Sequence, residues 1–383
     1  MKPAYTRAAL GVALALGMLG VVPGVAFAAQ PSCGDTLMAN TTLTADLDCS
    51  AYNGGTALWM GKKGIVLNLN GHTIWGGGSY AGIQTGVDTN YKKHTTIKNG
   101  SIANFDQAVF LDYSVGGTVK NLHIAGSSIG VYFYFGADNT ASGLTISGAF
   151  EGLDLYGSGG NWITNSRITD SYYGSYGEWE NGDHFVGNYA EYSYAGFYED
   201  YGGNQVYSGN TANGQPDSGA YGFYFDCDDY GFVNLFNNVA KYNSSYGFYT
   251  YYCYDDQNAA AGHATWTGNT ANHNGTGWYD DTSRYAVVKN NTANWNDSEG
   301  FYLYDSGHMV FTGNTANHNG SDGIYVYDNY SPYFSPAAVN NNTANYNDSY
   351  GIEADYGVPH ATGNRAHHNG TAPDDCWNID CNN

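Results

Sequence analysis

The string "GNTANHNG" runs from Gly268 to Gly275 and recurs from Gly313 to Gly320, with near copies "NNTANWND" from Asn290, "NNTANYND" from Asn341 and "GNRAHHNG" from Gly363. Upstream the letters drift but the spacing holds. Asn99, Asn121, Gly143, Asn165, Gly187 and Gly209 follow at intervals of 22, and intervals of 28, 31, 22, 23, 28 and 22 carry the series to Gly363. A unit this short cannot bury its own apolar face and must stack on its neighbours, so the period demands a solenoid. "GVYFY" from Gly130, "GLDLY" from Gly152, "GFYLY" from Gly300 and "GIYVY" from Gly323 alternate with period two, which is a strand pattern. It turns Val131, Phe133, Leu153, Leu155, Phe301 and Leu303 inward. A "TAN" piece with Ala271, Ala293, Ala316 or Ala344 inside, and a third run such as "YAVVK" from Tyr285, complete the unit. Three short strands per coil and no 3.6-residue pattern predict an all-β parallel β-helix of about twelve or more coils. The hexapeptide rhythm of a left-handed β-helix is missing.

The motif itself reads as scaffold. Asn269, Asn291, Asn314, Asn342 and Asn364 are expected to stack rung on rung at one turn, because Asn tolerates the left-handed backbone region and its amide bonds neighbouring backbone. His273, Trp295, His318, Tyr346 and His368 form a second column. Trp295 separates His273 from His318 by two rungs, roughly 10 Å, too far for one ion.

The coil pattern from Leu67 onward resembles the right-handed parallel β-helix proteins of the pectin-lyase-like superfamily, and the opening "CGDTLMANTTLTADLDC" with "GIVLNLNGHTIWG" is similar to the entry coils of secreted actinobacterial members. The resemblance implies the fold. It leaves several activities open, among them polysaccharide lyase, hydrolase, epimerase, and accessory protein to a copper enzyme. The "GHG" and "RIK" motifs of polygalacturonases and the basic cluster of pectate lyases are absent from the sequence.

Residues 1 to 28 read as a secretory signal peptide: Lys2 and Arg7 precede an apolar run from Ala8 to Val22, and "AFA" ends at Ala28. Residues 29 to 66 read as an entry cap and 67 to 383 as the β-helix. Export suits the cysteines, which group as Cys33 with Cys49, Cys227 with Cys253 and Cys376 with Cys381, the middle pair stapling successive coils and the outer pairs pinning the ends. Leu, Ile, Val and Phe make up 66 of 383 residues, a fraction typical of disordered chains, but a β-helix needs only a narrow apolar column. With 13 Lys and Arg against 35 Asp and Glu, a nucleic-acid partner and an anionic membrane surface are both excluded, and a monomer is expected.

The 37 tyrosines have two readings: Tyr suits an exposed parallel strand and stacks on itself between rungs, or its face on a long groove binds sugar rings. Two residues after each glycine lie Tyr132, Asp154, Tyr176, Tyr198, Tyr224, Tyr249, Tyr279, Tyr302, Tyr325 and Glu353; four after lie Tyr134, Tyr156, Glu178, Asp200, Asp226, Tyr251, Asp281, Tyr304, Tyr327 and Asp355. Aromatic faces along such a groove suit sugar rings, so Tyr134, Tyr156, Tyr198, Tyr224, Tyr249, Tyr251, Tyr304 and Tyr327 are the candidate polysaccharide-binding residues. Glu178, Asp200 and Asp226, on successive rungs about 5 Å apart, are the acid/base candidates, their separations approaching those of glycoside hydrolysis. The enlarged coils beside them carry "DCDDY" and "CYDDQ", whose Asp226, Asp228, Asp229, Asp255 and Asp256 suit a hard cation such as Ca²⁺. His184 and His263 read as structural. Glu199 falls on an inward position, either as a buried carboxylate or through a register slip. A non-catalytic adhesion protein and a metal-binding periplasmic accessory are the alternative functions.

Overall fold

The structure is a computed structural model, and it describes residues 30–78, 85–214, 219–227, 231–253, 263–327, 337–355, 361–370 and 375–381. The expected signal peptide lies outside these residues. Each coil adds one strand to a fifteen-stranded sheet that begins with Asp35–Leu37 on Thr56–Met60 and ends with Ile352–Ala354 on Cys376–Trp377, parallel throughout. Two further ladders close the coil. One contains His184–Val186 stacked on Trp162–Thr164, the other Tyr189–Glu191 stacked on Arg167–Thr169. They merge where the longer strands Thr96–Ala103 and Thr118–Ala125 run around the bend between them. Stacking starts ahead of the Leu67 boundary, since Thr41 already pairs with Leu67 and Leu47 with Ile74.

The core is a set of columns. Val131 sits on Val109 and under Leu153, and Phe133 on Leu111 and under Leu155, as the alternation requires. In the middle coils the column becomes aromatic, with Phe197, Phe223, Phe248 and Trp278 stacked at 4.9, 4.7 and 4.5 Å between centroids. Cys33–Cys49, Cys227–Cys253 and Cys376–Cys381 are disulfides, with Cα atoms 5.7, 4.8 and 6.4 Å apart.

The eight-letter motif resolves residue by residue, with one correction. The left-handed residue is the one before the expected asparagine: Gly268, Asn290, Gly313, Asn341 and Gly363 have φ between 55° and 70°. Asn269, Asn291, Asn314, Asn342 and Asn364 are instead buried within the coil. Asn291 donates from Nδ2 to Trp266 O at 2.9 Å and to Asn314 Oδ1 at 3.1 Å, while its own Oδ1 accepts from the backbone and side chain of Asn269. A parallel amide column that the sequence reading did not assign runs through Asn243, Asn274, Asn296, Asn319, Asn347 and Asn369 and ends on Asp375. The sixth position of the motif makes the other corner: His273, Trp295, His318, Tyr346 and His368 are all left-handed, and their rings stack rung on rung, as close as 3.9 Å between Trp295 and His318.

Asn314→Ala strands the buried N–H groups of Asn291 and the carbonyl of Val288, so it is expected to cost at least about 2 kcal/mol. His318→Ala removes only corner stacking and should cost about 1 kcal/mol. Urea unfolding of the two variants checks the order.

Candidate functional site

The outer face of the fifteen-stranded sheet carries the predicted columns in register. Tyr134, Tyr156, Glu178, Asp200, Asp226, Tyr251, Asp281, Tyr304 and Tyr327 stand on successive rungs of one column. Tyr176, Tyr198, Tyr224, Tyr249, Tyr279 and Tyr302 stand in the next. Pairing brings Glu178, Asp200 and Asp226 onto three adjacent strands, about 4.8 Å from rung to rung. Glu178 accepts from Trp179 Nε1 at 2.9 Å and from the Tyr176 hydroxyl at 3.4 Å.

The tyrosines do not present their ring faces. Tyr176, Tyr198, Tyr224, Tyr249, Tyr279 and Tyr302 lie 4.3–5.6 Å apart and within 17° of parallel, so each face is covered by the next rung and only edges and hydroxyls point outward. Tyr304 on Tyr327 and Tyr134 on Tyr156 do the same. In-register stacking, which makes Tyr suit a parallel column, uses up the surface on which a sugar would have stacked. Burial, with neighbouring carboxylates, pushes the phenols of Tyr176, Tyr198, Tyr249 and Tyr279 above their ordinary range, so they remain hydrogen-bond donors.

Exposed aromatic surface lies instead at the corner that follows the acids. Trp179 and Tyr201 directly succeed Glu178 and Asp200, both with left-handed backbone, 58% and 42% exposed, and stacked at 5.0 Å. The sequence reading missed them because it treated the column as ending at the acid. On the upstream rung the equivalent residue is Gly157, where no side chain stands.

Two acid pairings also went unassigned. Asp154, buried on the outer column beside Tyr176, has its carboxyl pushed up to about 8 by burial, then by Glu151 and Glu178. Inside the coil, Glu180, Asp183 and Glu199 are all buried. The register does not slip at Glu199, which pairs with Gly177 on one side and Phe225 on the other. The missing side chain of Gly177 makes its room, since a Cβ there would collide with Glu199 Oε2. Glu199 accepts from the Tyr207 hydroxyl, and burial raises its carboxyl to about 8. Burial raises the carboxyls of Glu180 and Asp183, their mutual interaction raising Glu180 further, and Glu180 Oε1 and Asp183 Oδ2 meet no hydrogen-bond donor among the described residues.

Of the carboxylates expected to hold Ca²⁺, Asp226 is described, and Asp228, Asp229, Asp255 and Asp256 lie outside the described residues. Among the described residues no group of three or more His, Cys, Asp or Glu is arranged to hold a metal. His184 stacks on Trp162 at 4.1 Å and His263 on Tyr285 at 5.5 Å.

The family described as "right handed beta helix region" matches residues 107–260 and 256–369. Among solved structures the chain is similar to the periplasmic alginate epimerase AlgG, with 12% identity over 84% of this chain and 78% of that one and a TM-score of 0.41. It is similar to the A-module of the Azotobacter vinelandii mannuronan C-5 epimerase AlgE6, with 15% identity over 86% and 91% and a TM-score of 0.44. It is also similar to the tailspike protein of E. coli bacteriophage HK620 in complex with a pentasaccharide, with 10% identity over 88% and 71% and a TM-score of 0.45. No curated protein sequence matches.

The interior acids set a pH dependence. A carboxyl raised in the folded state contributes stability that is fully present below its unfolded value and is lost as pH rises through the folded one. For Glu199 that window runs from 4.5 to about 8. The unfolding midpoint should therefore fall across this range, and Glu199→Gln, which keeps an acceptor for Tyr207, should flatten the fall and raise the midpoint above pH 8. Thermal unfolding at a series of pH values checks it.

Proposed function

The chain belongs to the right-handed β-helix family, and from that premise we propose that it binds an extended polysaccharide along the outer face of the fifteen-stranded sheet. The observation that carries this reading is the line of tyrosine hydroxyls beside in-register carboxylates, repeating at about 4.8 Å over successive rungs. Phenol O–H groups donate to sugar oxygens, carboxylates accept from sugar hydroxyls, and Trp179 with Tyr201 offers exposed ring surface at the edge. A regular polymer can repeat such contacts where a small molecule cannot. Three disulfides support an oxidising compartment, and among the described residues no helix is long and apolar enough to cross a membrane.

Chemistry on the bound chain is supported by a more local feature. Asp154 is protonated at neutral pH, one strand from Glu178, and Asp200 and Asp226 continue the column. A buried carboxyl held protonated one strand from an outward acid column is what a general acid requires. In this reading Asp154 donates a proton and Glu178, Asp200 or Asp226 accepts one.

Two variants separate binding from catalysis. Replacing Tyr198, Tyr224 and Tyr249 together by Phe keeps the ring stack and removes three donors, so polysaccharide retention should weaken about tenfold or more with the unfolding midpoint little changed. Asp154→Asn should lower turnover about a hundredfold while retention survives. Retention on affinity gels, with product analysis, reads both. A protein that only binds shows the first effect and yields no product from any substrate.

A further inference from the structure

The corner that follows the fifteen-stranded sheet carries a ladder of rings with one rung left out. Tyr91, Tyr113, Phe135, Gly157, Trp179 and Tyr201 occupy the same corner position on successive coils, all left-handed with φ between 44° and 61°. Tyr91 stacks on Tyr113 at 5.1 Å, Tyr113 on Phe135 at 5.5 Å and Trp179 on Tyr201 at 5.0 Å, and all five rings are exposed. Gly157 stands between the two piles. The backbone ladder runs through it unbroken, its N–H donating to Glu178 O at 2.9 Å.

Two rungs separate Phe135 from Trp179, about 9.6 Å at strand spacing. Phe135 has Tyr113 on the rung below and Tyr134 and Tyr156 at its sides, near right angles. A Cβ on Gly157 would collide with the Phe135 ring, so that ring forms the floor of the gap. Trp179 is in ring contact with Tyr201 on the rung above and with no other ring among the described residues, so one of its faces looks across the Gly157 rung. Its Nε1–H donates to Glu178 Oε1 at 2.9 Å, which fixes this wall before any ligand arrives. A groove of about 200 Å³ along the base of Trp179 and Tyr201, past Gly202 and Gly203, opens at the same corner. A gap of one rung between two aromatic piles has the height of one more ring, and a ring that fills it must be apolar on both faces.

Resting on the polysaccharide reading above, we propose that the Gly157 rung is a subsite in which one pyranose ring of the glycan completes the ladder between Phe135 and Trp179, and that it selects a β-linked residue of gluco configuration. Every ring substituent of β-glucopyranose is equatorial, so both of its faces carry only C–H and lie well on aromatic rings. An axial hydroxyl, as in mannose or galactose, turns toward one of the two rings and loses its water without gaining a partner. The equatorial hydroxyls lie in the plane of the sugar. Tyr156 and Glu178, which directly precede Gly157 and Trp179 in the outer column, supply a phenol and a carboxylate on that side.

The test titrates hexamers of β-1,4-linked glucose and β-1,4-linked mannose, which differ only in the configuration at C2, into the protein and follows heat and tryptophan emission. The glucose hexamer should bind at least about fivefold more tightly. Trp179→Ala removes one wall, and Gly157→Tyr fills the gap with the kind of ring the neighbouring coils carry; each should weaken the glucose hexamer about tenfold or more. The unfolding midpoint of Gly157→Tyr checks that it folds, and Trp179→Ala repeats the test without adding atoms. Trp179→Phe should keep affinity within about threefold and lose the change in emission. A glucose hexamer whose affinity neither Gly157→Tyr nor Trp179→Ala alters overturns the inference and leaves the polysaccharide reading standing. A mannose hexamer that binds as tightly overturns it too, since an axial hydroxyl is then no obstacle. If neither hexamer binds, the subsite falls, and retention on gels of other polysaccharides decides the broader reading separately.

Discussion

Every coil is hydrogen-bonded in parallel register to the coil before it, so each side chain sits against its own counterpart one rung away. The consequences follow from what a residue does when stacked on itself. An amide donates and accepts in equal number, so the column from Asn210 to Asn364 is satisfied along its length. A phenol ring gains a stacked neighbour on both faces. A carboxylate gains only repulsion. Asparagine and tyrosine columns are therefore what this architecture favours, and a column of three acids is what it resists.

The acids that remain are handled in two ways. Inside the coil, Glu180, Asp183 and Glu199 shift towards the protonated form under burial, with Gly177 leaving space for the Glu199 carboxyl and Tyr207 donating to it. On the outer face Asp154 does the same beside Glu151. Glu178 takes donors from Trp179 and Tyr176. Burial also raises carboxyls in the flanking coils, at Asp88, Asp280 and Glu353, but the middle coils from Glu151 to Asp226 bring buried acids and the in-register outer column together. That is the segment to which both the binding and the chemical proposals point.

The tyrosine face shows how one physical preference can mislead about function. Stacking between rungs closes the ring faces and turns the hydroxyls outward, converting a surface that reads as aromatic into one that acts as polar. Beside the acids, ring surface reappears where the backbone turns left-handed and the side chain leaves the sheet, at Trp179 and Tyr201.

The sequence by itself determined the solenoid, its three strands per coil, the inward and outward columns and the cysteine pairing, because in a stacked repeat a residue's place in the period is also its neighbour list. It could also place Glu178, Asp200 and Asp226 together for the same reason. It misplaced the left-handed residue of the motif by one position, since both Gly268 and Asn269 tolerate that region and only the stacked amide column distinguishes them. What the tertiary structure alone decided are contacts between different positions of the period: Glu180 with Asp183, Glu199 with Tyr207, Asp154 with Glu151, and Glu178 with Trp179. These depend on side-chain direction at corners and across the interior of the coil. Periodicity carries no information about that direction.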